Sequence, residues 1–122
     1  MTGLVNRALN YLADKSYTKT AQPSITTSTG SVTQTHYRRY GNVANLLVVS
    51  KNAAAKSAGS IVMEGTIPKA YRPSLTAYGI ATYSNMMASV TITPEGVVRT
   101  RMANGTLPAN TELYGNVTYV LP

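Results

Sequence analysis

The sequence predicts a mainly β protein: an antiparallel, jelly-roll-like β-sandwich head that carries a short N-terminal α-helix. Three observations predict it. Short β-rich runs broken by Gly, Pro and Asn recur from residue 32 onward. The one persuasive run of apolar side chains at three- and four-residue steps lies at the N-terminus. The length of 122 residues matches a single compact core, since a second would leave each half marginal.

The helix is predicted over Gly3 to Asp14, where Leu4, Val5, Ala8, Leu9 and Leu12 form one apolar stripe and Thr2 stands at the capping position. About three turns are marginal alone in water, where roughly 12 to 15 residues are needed even for good helix formers, so the stripe must pack on something. Its own domain is one partner. The same stripe on neighbouring copies is the other, with Val5, Ala8 and Leu12 at a, d and a spacing. The terminal position and the polar, Ser/Thr-rich stretch from Ser16 to Ser31 favour self-association. The chain then divides into a helical neck for oligomerisation (1–15), a polar connector (16–31) and a head domain (32–122).

Within the head, strands are expected at Val32 to Tyr40, Ala44 to Ser50, Ser60 to Thr66, Tyr78 to Thr82, Ala88 to Thr93, Val97 to Met102 and Leu113 to Leu121. The clearest hairpin spans Ala88 to Met102, because Thr93-Pro94-Glu95-Gly96 suits a type I turn with Gly placed for positive φ. Val90, Ile92, Val98 and Met102 then share its buried face. Pro68, Pro73, Pro94 and Pro108 fall between strands, where a missing N–H breaks no ladder. Tyr83 to Met87 reads as a loop, and Tyr78-Gly79 and Asn104-Gly105 read as breaks or turns.

Composition narrows the chemistry. Apolar residues make up 43% of the chain, enough for a core, yet there are nine Tyr with no Phe and no Trp. Aliphatics and Met must fill the interior while Tyr supplies rings with a polar tip. The absence of Cys removes disulfides and thiolate metal sites, and a single His36 cannot make a His-rich one, so no metal or cofactor is expected. No apolar run of about 18 residues and no signal-peptide pattern occurs, so no membrane insertion is expected. The four acids are Asp14, Glu64, Glu95 and Glu112; only Glu64 and Glu112 remain as a carboxylate pair for glycoside hydrolysis, which makes an enzyme the weakest reading. Lys and Arg outnumber acids 11 to 4, a formal charge of +7 that suits either an anionic partner or plain solubility. These cations are scattered singly, without the stripe typical of nucleic-acid binders.

The second half carries Gly65-Thr66-Ile67-Pro68-Lys69-Ala70-Tyr71-Arg72-Pro73-Ser74, then Ala88 to Val98 with its hairpin turn, then Tyr114-Gly115-Asn116-Val117-Thr118-Tyr119; Tyr37-Arg38-Arg39-Tyr40-Gly41-Asn42-Val43 precedes them. Together these resemble the C-terminal head domain of bacteriophage tail-tip and baseplate receptor-binding proteins, over roughly residues 32 to 122. The resemblance implies a homotrimer of β-sandwich heads on a helical neck, held in the virion by other tail or baseplate proteins and gripping bacterial cell-surface polysaccharide without bond-breaking chemistry. Several such relatives stack sugar on a Trp, which this chain lacks.

Saccharide recognition needs flat rings against C–H faces and planar multi-donor groups for hydroxyls. Strand alternation divides residues 36–40 into a His36, Arg38, Tyr40 face and a Tyr37, Arg39 face, one of which should point outward. Arg99 and Arg101 form a same-side basic pair, and Tyr83 with Asn85 offers a ring and an amide. These seven residues, His36, Arg38, Tyr40, Tyr83, Asn85, Arg99 and Arg101, are the candidate saccharide site. Tyr71 and Arg72 are expected to anchor their loop to the sheet or to a neighbouring subunit. A structural baseplate or capsid decoration protein is the alternative, with the same Tyr and Arg facing protein.

Overall fold

A computed structural model describes residues 18–122. The expected helix, with Leu4, Val5, Ala8, Leu9 and Leu12, lies outside the described residues. Eleven strands occur among those described: β1 (Thr18–Ala21), β2 (Thr26–Thr29), β3 (Ser31–Tyr40), β4 (Val43–Lys51), β5 (Lys56–Ser57), β6 (Ile61–Thr66), β7 (Ala77–Tyr83), β8 (Met86–Ile92), β9 (Val97–Met102), β10 (Thr106–Leu107) and β11 (Glu112–Val120). Nine make one curled antiparallel sheet in the order β1-β3-β4-β11-β7-β8-β9-β6-β2, and β5 pairs β10 in a small ribbon.

All seven expected strands are present, each boundary within two residues. Alternation explains why they form. Ala44, Leu46 and Val48 on β4, Val90 and Ile92 on β8, Val98 and Met102 on β9, and Leu113, Val117 and Tyr119 on β11 are buried in one core, while the alternate residues that point the other way are wholly or partly exposed. The interior also holds one polar pair, Ser50 and Thr100, whose hydroxyl oxygens lie 3.1 Å apart. This contact joins β4 to β9, which are four places apart in strand order, so the sheet closes over its own inner face.

The stretch from Ser16 to Ser31 departs from the expected connector over its described part. Thr18–Ala21 pairs with residues 37–40, and Thr26–Thr29 pairs with residues 64–66. Thr is β-branched and fits a half-exposed pleat, so a sequence that looks merely polar makes marginal strands where only one face need be covered. These two strands form the two margins of the sheet, with Pro23 in the connection between them, where no ladder donor is required. Gly30 alone joins β2, at one margin, to β3, next to the other. Its φ is +66°, and a Cβ there would stand 2.2 Å from the Val62 carbonyl oxygen. That close left-handed passage carries the chain from one margin of the sheet to the strand beside the other, against the backbone of Val62 and Lys51.

The hairpin forms as expected. The Gly96 N–H donates to the Thr93 carbonyl at 2.9 Å and Gly96 takes φ +94°. Two other readings change. Tyr83, Met86 and Met87 belong to strands, so only Ser84 and Asn85 turn, with Ser84 at φ 53°. Gly79 is no break: it lies inside β7, where a Cβ would come within 2.2 Å of the Asn116 carbonyl oxygen on β11. Residues 52–55 form the loop that leads into β5.

The loop before β7 is anchored as expected. After a 3-10 turn over Lys69–Tyr71, the Arg72 Nε donates to the Ile67 carbonyl at 3.1 Å. The Tyr71 ring stands edge-on to Tyr37 with centroids 4.7 Å apart, and the Lys19 ammonium lies 5.9 Å from the Tyr71 centroid.

Candidate functional site

The outer face of the sheet carries the candidate residues, and alternation decides which of them reach it. On β3, Tyr37 is buried, which turns His36, Arg38 and Tyr40 outward; Tyr40 is 60% exposed and Arg38 is exposed. The outward face is therefore the one with a ring, a guanidinium and an imidazole at successive positions. Arg39, on the other side, is half-buried and spends its Nε on the Gly41 carbonyl at 2.6 Å.

Arg99 and Arg101 point outward from β9, opposite Thr91 and Ser89 of β8. They differ in availability. Arg99 donates to a Glu64 carboxylate oxygen at 2.9 Å through one terminal nitrogen, while its Nε is buried without an acceptor. That hydrogen bond, with the charges of Arg99 and Arg101, holds the Glu64 carboxyl below its ordinary range. Arg101 is exposed and is the freer cation.

Tyr83 ends β7 and Asn85 lies in the β7–β8 turn, and both are exposed. The neighbouring Met87 N–H donates to the Asn104 side-chain oxygen at 2.7 Å, which fixes the turn to the loop after β9.

The seven candidates are not one cluster within a single chain. In strand order β3 and β9 are five steps apart, about 24 Å along the sheet at the usual strand spacing. Two basic rows, one on β3 and one on β9, thus flank the intervening strands β4, β11, β7 and β8. Those strands carry no charged residue except Lys51 and Glu112, which face each other at one end.

This intervening band holds outward residues that pattern reading passed over. Tyr78 is 75% exposed, Ile80 56% and Tyr114 54%, with Val43 and Val120 also open. Between them the Asn45 amide donates to the Asn116 side-chain oxygen and, at 3.0 Å, to the Thr118 hydroxyl. The signal was present in the alternation of β11, whose Leu113, Gly115, Val117 and Tyr119 point inward and leave Tyr114 outward. At the rim, the Tyr114 hydroxyl donates to a Glu112 carboxylate oxygen at 3.0 Å, and this bond raises the Tyr114 pKa.

The carboxylates suggested for hydrolysis are engaged separately, Glu64 by Arg99 and Glu112 by Tyr114. A general acid needs its pKa raised, whereas Glu64 is shifted downward. No model of a known protein family matches this sequence, and no curated protein matches it.

Proposed function

We propose that this chain is a bacteriophage tail adhesion protein. Its curled sheet is a jelly-roll-like β-sandwich head, displayed as a trimer at the tail tip or baseplate, that binds host surface polysaccharide reversibly. The observation that carries this reading is the outward row on β3, where exposed Tyr40 stands beside Arg38 and His36. A ring for sugar C–H faces and a planar donor fork for hydroxyls or phosphates sit together on a rigid strand. Each such site is weak, and several heads on one assembly make later contacts intramolecular, so avidity supplies the grip.

Adsorption of labelled protein to susceptible cells, or binding on a glycan array, tests the reading. Saturable binding is expected, reduced at least tenfold by Arg38→Ala and by Tyr40→Ala. Because the charge is +7, binding to an anionic glycan should weaken as salt rises, since exposed charges are screened beyond roughly 8 to 10 Å at physiological strength. The open Tyr78, Ile80 and Tyr114 favour a second reading, a structural baseplate or decoration protein whose outer face meets protein. Saturable binding absent on every cell type leaves that second reading in place of the first.

A further inference from the structure

We infer that Asn104 is a site of spontaneous covalent modification: the Gly105 main-chain nitrogen attacks its side-chain amide, and the folded chain is converted to aspartate and isoaspartate forms at this position. Neither reactant depends on the function proposed above.

The bend between β9 and β10 supplies the nucleophile. Asn104 and Gly105 are both exposed, and they form the one Asn-Gly pair in the sequence. Gly105 takes φ +74°, a left-handed conformation that side chains rarely adopt, so the bend itself calls for glycine. Glycine has no Cβ to shield its own N–H, and the Gly105 N–H makes no main-chain hydrogen bond among the described residues. The attacking nitrogen is neither screened by its own residue nor committed as a donor.

The electrophile is held by the neighbouring strand. The β8–β9 ladder ends at Ala88 and Met102. Beyond it the Ala103 N–H donates to the Met87 carbonyl at 2.9 Å, and the Met87 N–H donates to Asn104 Oδ1 at 2.7 Å. The Asn104 side-chain oxygen thus takes the place of a main-chain acceptor. That same N–H draws electron density from Asn104 Cγ and meets the negative oxygen that forms when Cγ becomes tetrahedral. The amide nitrogen, which must leave, makes no hydrogen bond among the described residues. Asn85 is exposed as well, but its successor Met86 carries a side chain and pairs with Tyr83. The Asn45 and Asn116 amides are bonded to each other.

The chemistry balances with water alone. Gly105 gives its amide proton to base, and its nitrogen bonds to Asn104 Cγ. The Cγ–Nδ2 bond breaks, and Nδ2 takes a proton and departs as ammonia. Water then opens the cyclic imide at either carbonyl, so a water is consumed for each ammonia released and no atom changes oxidation state.

The two products differ in what they do to the fold. Aspartate leaves the main chain intact and offers the Met87 N–H a charged, stronger acceptor. Isoaspartate routes the main chain through Cβ and Cγ, adding an atom just before β10. There Thr106 and Leu107 pair with Ser57 and Lys56, and Leu107 is fully buried. The longer backbone must shift that core side chain or loosen the ribbon.

The test holds the full chain in mildly alkaline buffer, folded and in parallel unfolded in urea. Peptide mass mapping and enzymatic methyl labelling of isoaspartate read each asparagine. In the folded chain residue 104 should gain the mass of an amide exchanged for a carboxyl, ahead of every other asparagine, and the formal charge should fall one unit below +7, resolved by ion exchange. Asn104→Gln, checked as folded by near-ultraviolet circular dichroism, should lose the gain, because its longer side chain must close a larger ring. The separated isoaspartate chain should melt below Asn104→Asp. Modification of residue 104 in urea only, an equal gain at Asn85, or an undiminished gain in Asn104→Gln overturns the site. Equal melting of the isoaspartate and Asn104→Asp chains overturns the strain assigned to β10.

Discussion

The Tyr119 hydroxyl on β11 donates to the main-chain carbonyl of Tyr71 at 2.7 Å, tying the last strand of the sheet to the turn that presents Arg72. Burial, with a smaller contribution from Tyr37, pushes the Tyr119 hydroxyl well above the ordinary tyrosine range.

Tyr119→Phe should therefore cost about 1 to 2 kcal/mol, because a part-buried carbonyl loses its donor. It should also change the alkaline limb of stability. The folded state holds this proton to higher pH than an unfolded tyrosine, whose value is 10.0. The contribution is complete below the unfolded value and drains away as pH climbs through the folded one. Denaturant melts between pH 8 and 11 should show the native protein declining more steeply than the variant.

Ser50 and Thr100 share a hydrogen bond inside the core, between β4 and β9. Ser50→Ala alone leaves the Thr100 hydroxyl buried without its partner, at a cost of about 1 to 3 kcal/mol. Adding Thr100→Val removes the orphan, so the double variant should cost less than the two single changes combined, as a double-mutant cycle in urea will show.

Gly30→Ala places a methyl group 2.2 Å from the Val62 carbonyl oxygen at a left-handed φ of +66°. Backbone must shift where β2 passes into β3 beside Val62. The expected loss is about 3 kcal/mol or more, read as a drop in the denaturation midpoint. Gly59→Ala, with φ +86° and open space around it, should cost only the conformational share, about 1 kcal/mol.

Arg101 is exposed, whereas Arg99 is already committed to Glu64. For an anionic glycan, Arg101→Ala should weaken binding more than Arg99→Ala does. Glu64→Gln should strengthen it, by releasing the Arg99 guanidinium and adding one net positive charge. Titration at two salt concentrations checks both, since each difference should shrink as salt rises.

Much of the head was legible because its strands are half-buried and their alternation is local. Val90, Ile92, Val98 and Met102 declare one face, and Thr93-Pro94-Glu95-Gly96 declares the turn between them. The margin strands were not legible. Thr18–Ala21 and Thr26–Thr29 carry too few apolar residues to announce a period, and they are strands because β3 and β6 offer them ladders. Gly79 and Gly30 look alike as punctuation, yet one lies within a strand pressed by β11 and the other turns a corner.

The sequence by itself determined the β class, the seven head strands, the hairpin and the division of β3 into two faces, since each depends on residues a few positions apart. Only the tertiary structure decided how those pieces are spaced around the sheet. It put Arg38 and Arg101 five strand steps apart, gave Arg99 to Glu64 and left between them a band whose only charged residues are Lys51 and Glu112. Those outcomes depend on which distant strands pair, through ladders whose order the linear pattern of side chains does not encode.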